Sequence, residues 1–89
     1  MKYTVVIEKA ATNYSAYVPD LPGCVTTGPT VEATVRLIHE AIEFHLEGLL
    51  LYGESIPEPT TQCREVEIDL DRVIAAVALE QAQAKAVEP

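Results

Sequence analysis

The residues with chemistry to offer in this 89-residue sequence are two histidines, His39 and His45, two cysteines, Cys24 and Cys63, and Asp20, an acid at a rigid bend. An enzyme would use such groups as an acid–base pair, an activated nucleophile or a metal cluster. Their spacing assembles none of these. His39 and His45 stand at i and i+6 of a helical stretch, on different faces, so they form no helical metal pair. The cysteines show no CxxC spacing and have no histidine nearby, which argues against zinc and leaves both as small buried hydrophobes of a reducing cytosol. Asp20 lies in Pro19-Asp20-Leu21-Pro22-Gly23, where an aspartate commonly caps backbone N–H groups. Glu32, Glu40, Glu43 and Glu47 read as a solvated helix face with Arg36 bridging at i±4. No GxGxxG, P-loop, GxSxG or HExxH pattern occurs. The expectation is a binding protein rather than an enzyme, with no metal and no cofactor.

The elements that position these residues can be read from pattern and punctuation. Residues 2–8 are a β-branched, aromatic strand with Tyr3, Val5 and Ile7 on one face. Asn13 turns the chain into a second strand, 14–18, with Tyr14, Ala16 and Val18 aligned. After the PDLPG turn, Cys24–Thr27 makes a third short strand, ended by Gly28-Pro29. Thr30 is an N-cap and Glu32 suits the first turn of a helix running from about Val31 to Tyr52, with Gly53 as its stop. Residues 56–59, IPEP, are extended because neither proline fits a helix interior. In 64–70 the alternation predicts a fourth strand with Val66, Ile68 and Leu70 inward, and Asp71 caps a last, alanine-rich helix. The fold class is therefore α+β. A three- to four-stranded antiparallel sheet carries the long helix on one face, in the order β-β-β-α-β-α. The chain is short enough for one domain only, with 1–70 as its body and 71–89 as a C-terminal helix and tail.

Charge narrows the partners. Fourteen acidic and six basic side chains give a net charge of −8, which repels nucleic-acid backbones and suits a basic protein partner. The N-terminus lacks the apolar core of a signal peptide and no run is long enough to span a membrane, so a cytoplasmic location is expected. The long helix carries more apolar surface than one sheet can cover. Beside the stripe of Val31, Val35, Ile38, Ile42, Leu46 and Leu49 runs a second, of Leu37, Ala41, Phe44, Gly48 and Leu51. Part of the surplus can be covered by Val73 and Val77 of the last helix. The rest points to a second copy, as a homodimer or tetramer, or to another protein. Leu37, Phe44, Leu51, Val73 and Val77 are the candidate surface for that contact.

Four landmarks in order resemble a known family. Tyr17-Val-Pro-Asp-Leu-Pro-Gly-Cys24, then Gly28-x-Thr30 at the helix start, Glu40-Ala-Ile-Glu43 within it, and Gly53-x-x-Ile-Pro-x-Pro59 are similar to the HicB antitoxins, of the small UPF0150 type. Pro29 and Ala33-Thr34 depart from the family's usual Gly-Asp-Thr-x-Glu-Glu-Ala. The resemblance implies a partial RNase H-like fold. It also implies that the chain binds and masks a small basic toxin of the HicA type, which cleaves mRNA with a histidine. The candidate toxin-facing residues are the acids Asp20, Glu65, Glu67 and Asp69. The alternative is a stand-alone homo-oligomeric module of the same fold that binds a peptide or small molecule. Many HicB proteins carry a C-terminal DNA-binding module. The 19 residues after Leu70 hold one helix and more acids than bases, so direct DNA binding is not expected.

Overall fold

In the computed structural model, residues 1–87 are described; residues 88 and 89, the end of the expected tail, lie outside the described residues. Three strands, β1 (Val6–Lys9), β2 (Tyr14–Tyr17) and β3 (Val25–Gly28), are followed by two helices, α1 (Val31–Leu51) and α2 (Leu70–Val87). The strands form an antiparallel meander in the order β1-β2-β3. Lys9 faces Tyr14 across the first hairpin, and Tyr14 faces Gly28 across the second pair. Ala10 N–H donates to the Asn13 carbonyl at 2.8 Å and closes the first turn.

One face of this sheet is covered by α1. Ala16, Val18, Leu21, Cys24 and Ile38 form the buried centre, with Tyr3, Val5, Ile7, Ala41, Ile42 and Leu46 packed around it. Leu21 is fully buried although it sits in a turn. The PDLPG segment folds inward on itself. Leu21 N–H donates to the Val18 carbonyl and Cys24 N–H to the Leu21 carbonyl, both at 3.0 Å, while Gly23 takes φ +84°. The two prolines stiffen the bend and the glycine reverses it, so the leucine between them is aimed at the core.

Both ends of α1 follow their local chemistry. Thr30 Oγ1 accepts from Ala33 N–H at 3.1 Å, and buried Thr34 Oγ1 donates to the Thr30 carbonyl at 2.7 Å. Gly28 is buried against that first turn, and a Cβ there would meet Thr34 Oγ1 at 2.5 Å. At the other end Gly53 adopts φ +70°. Its N–H donates to Leu50 O and Glu54 N–H to Leu49 O, the paired bonds of a Schellman stop.

Four sequence expectations are corrected. The fourth strand over 64–70 does not form: Val66 and Ile68 are 76% and 64% exposed rather than inward. A strand needs a neighbour for its backbone groups, and the chain has left the sheet before this segment begins. The last helix starts at Leu70, with Asp69 rather than Asp71 at its cap, since Asp69 Oδ1 accepts from Arg72 N–H at 3.2 Å. Cys24 is buried, but Cys63 is exposed because it lies in that departing segment. On α1, Val31 and Val35 of the expected core stripe are exposed, since three short strands are too narrow to cover the whole stripe.

Candidate partner-binding surface

Asp20 holds the segment after α1 in place. Its carboxylate accepts four hydrogen bonds, from the N–H and hydroxyl of Thr60 (3.2 and 3.1 Å) and from the N–H and hydroxyl of Thr61 (3.1 and 2.9 Å). The Thr61 backbone donor, helped by the Thr61 hydroxyl and both Thr60 donors and opposed by partial desolvation, moves the Asp20 carboxyl below its ordinary range. Beside it the Tyr3 hydroxyl donates to the Pro57 carbonyl at 2.6 Å and Thr4 Oγ1 to the Thr61 carbonyl at 3.0 Å. Burial raises the Tyr3 hydroxyl pKa, helped by the charges of Glu58 and Asp20. The prolines keep 56–59 extended, and these side chains fasten it alongside residues 3 and 4. Among the four candidate acids, Asp20 is therefore engaged within the chain, about forty residues from its threonines.

Beyond Thr61 the chain projects as an arm. Glu65, Glu67 and Asp69 are exposed, and so are Val66 and Ile68 between them. These three acids follow Thr61 and take no part in the Asp20 clamp. The arm continues into α2, whose Leu70, Val73, Ile74 and Val77 are exposed at helical spacing. The described residues have a radius of gyration of 21.2 Å and span 70 × 31 × 24 Å. A compact chain of this length would have a radius near ~12 Å.

On the body, an open groove of about 420 Å³ lies between residues Met1–Val5 and α1. Its floor is Tyr3, Val5, Ile38, Ile42 and Leu46, and Lys2, His39 and Glu43 stand at it. The expected Arg36 bridge gives way here to His39, whose Nδ1 lies 3.0 Å from Glu43 Oε1. On α1, Phe44 and Leu51 are each 78% exposed and Leu37 is half-buried. Val73 and Val77 are on the arm, so the five apolar candidates fall on two separate surfaces. Among the described residues, no group of three His, Cys, Asp or Glu side chains could hold a metal ion. The Cys24 thiol is pushed up by burial, which disfavours a reactive thiolate. Among them too, no helix is long and apolar enough to cross a membrane.

The model of the family described as HicB-like antitoxin of bacterial toxin–antitoxin system matches residues 3–87. The chain belongs to the HicB-like antitoxin family. Similar proteins include a UPF0150 protein of Thermoplasma acidophilum, 41% identical over 63 residues, covering 70% of this chain and 91% of the relative. A UPF0150 protein of Synechocystis is 39% identical over 57 residues, 63% of this chain and 72% of that protein. A 14.9 kDa protein from the rep–hol intergenic region of Haemophilus phage HP1 is 41% identical over 58 residues, 65% of this chain. This HicB-like chain spans 44% of the phage protein's length. Membership agrees with the α+β fold and carries the kind of partner an antitoxin has, a toxin. Neither the groove nor the apolar side of the arm was legible as a site in the sequence: the groove is made by residues 1–5 lying beside α1, and the arm by where the chain goes after Thr61.

Proposed function

We propose that this chain is a cytoplasmic antitoxin that binds and masks a small basic HicA-type toxin, without catalysis of its own. Family membership over residues 3–87 is the observation that carries the reading. The net charge of −8 supports it, since opposite charge speeds encounter with a basic protein and selects the surface that meets it. Glu65, Glu67 and Asp69 are the acids best placed for that contact. They are exposed, unengaged by the body and carried on an extended segment able to lie along a partner's sheet edge. Asp20 contributes from behind by fixing where this segment begins.

Co-purification tests the reading. The tagged chain, co-expressed with a small basic protein from the adjacent reading frame, is expected to retain it. Glu65→Lys and Glu67→Lys together, which leave the Asp69 cap of α2 in place, are expected to release it while the circular dichroism of the chain stays unchanged. A wild-type chain that retains no such protein contradicts the proposal. Self-association is the second part of the reading. It is favoured by the exposed apolar stripe of α2, a stripe that in water needs cover.

A further inference from the structure

The arm and the groove describe two halves of one contact. We infer that α2 of one copy docks its Leu70, Val73, Ile74 and Val77 stripe into the groove between residues 1–5 and α1 of a second copy, the two copies exchanging arms. This deepens the self-association reading and does not depend on a toxin.

Four observations favour this occupant. Most helices in folded proteins owe their stability to a packed apolar face rather than to propensity alone. Yet α2 is regular while its stripe stands exposed. The stripe requires an apolar trough, and the groove offers one floored by Tyr3, Val5, Ile38, Ile42 and Leu46. Charge is matched as well. In a chain of net −8, residues 70–87 hold Asp71 and Glu80 against Arg72 and Lys85, so this helix is the neutral stretch that meets another acidic copy without repulsion. Asp71 and Arg72 beside the stripe answer Lys2 and Glu43 at the groove.

The helix cannot easily reach its own groove. The chain leaves the body at Thr61, pinned by Asp20, directly beside residues 3 and 4. To fold α2 back there, residues 62–69, QCREVEID, would have to make a tight reversal. They contain no glycine, proline or asparagine and alternate with β-branched residues, a pattern that holds the chain extended. Eight extended residues reach about 26 Å outward, far enough to hand the helix to a neighbour.

Arm-to-arm pairing is the weaker way to join two copies. Any two-fold antiparallel pairing of 64–69 that keeps Val66 and Ile68 on one face sets Glu65, Glu67 and Asp69 opposite one another, and like charges directly opposite destabilise a sheet. Exchange of α2 leaves those acids outward. A reciprocal exchange closes with two-fold symmetry, and an arm of 26 described residues (62–87) is within the roughly 20–30 residues a side of a standard interface.

The test uses the whole chain alone. In a Cys63→Ser background, Val35→Cys at the groove and Val77→Cys on α2 replace exposed residues, and the protein is oxidised. A disulfide between chains, migrating as a covalent dimer, with light scattering at twice 9.7 kDa, is the expected result. An intramolecular cross-link overturns the exchange, and a monomer mass overturns both exchange and self-association. A dimer mass without the cross-link overturns the exchange and leaves self-association standing. Val73→Asp with Val77→Asp provides a second reading free of cysteines. It is expected to give a monomer with unchanged dichroism of the sheet and α1, and a dimer that survives it overturns the inference.

Discussion

Gly28→Ala is expected to destabilise the fold through one contact that a second substitution relieves. The added Cβ would lie 2.5 Å from Thr34 Oγ1 and 3.1 Å from both Thr34 Cα and N, so the first turn of α1 must move away from β3. Overpacking of this kind costs about 2 kcal/mol. Thr34→Ala alone loses the hydroxyl's bond to the Thr30 carbonyl, about 1 kcal/mol, and a buried methyl, about 1 kcal/mol. If the two acted independently the double variant would lose about 4 kcal/mol. Because Thr34→Ala removes the nearest clashing atom, the double variant is expected to lose only about 2–3 kcal/mol, a coupling of at least ~1 kcal/mol. Urea unfolding monitored by circular dichroism measures this, with the slope unchanged and only the midpoint shifted. The single Gly28→Ala change should lower Tm by roughly 8–16 °C. A Gly28→Ala variant within ~0.5 kcal/mol of wild type, or strictly additive losses, would refute the packing argument.

Leu21→Ala empties a fully buried turn position and is expected to cost about 3 kcal/mol, read by the same unfolding curves; a loss under ~1 kcal/mol would mean the turn is not anchored in the core. Thr30→Ala removes the α1 cap and is expected to cost about 1 kcal/mol, with Thr30→Ser restoring it. For Asp20 the folded carboxyl titrates below its unfolded value of about 3.9, so its stabilisation is fully present above that pH and is lost as pH falls through the lower folded value. The stability gap between wild type and Asp20→Asn is therefore expected to be widest near neutrality and to close in acid. A gap constant down to pH 2 would contradict the clamp.

Local chemistry made much of the fold legible. Thr30, Gly53, Gly23 and the two prolines around Leu21 announce their conformations through hydrogen-bonding groups and φ preferences within a few residues. The alternation of residues 3, 5, 7, 16 and 18 likewise gave the core face. Two things depend on distance along the chain and were not legible. Asp20 reads as a turn acid, but its donors are Thr60 and Thr61, and no spacing rule links positions forty apart. Val66 and Ile68 alternate as a half-buried strand should, yet periodicity reports only which face is apolar and not what covers it. Among the described residues nothing does, and Val66 and Ile68 stand exposed on the arm as a candidate surface. Asp69 displaced Asp71 as the helix cap for a smaller reason: both aspartates can accept from a first-turn N–H, and the helix begins at Leu70.

The measurement closest to the central claim is growth. Cells expressing the small basic protein from the adjacent reading frame are expected to stop dividing, and co-expression of this chain is expected to restore growth and keep their mRNA intact. Growth that stays arrested while both proteins accumulate to equal levels would contradict the antitoxin account.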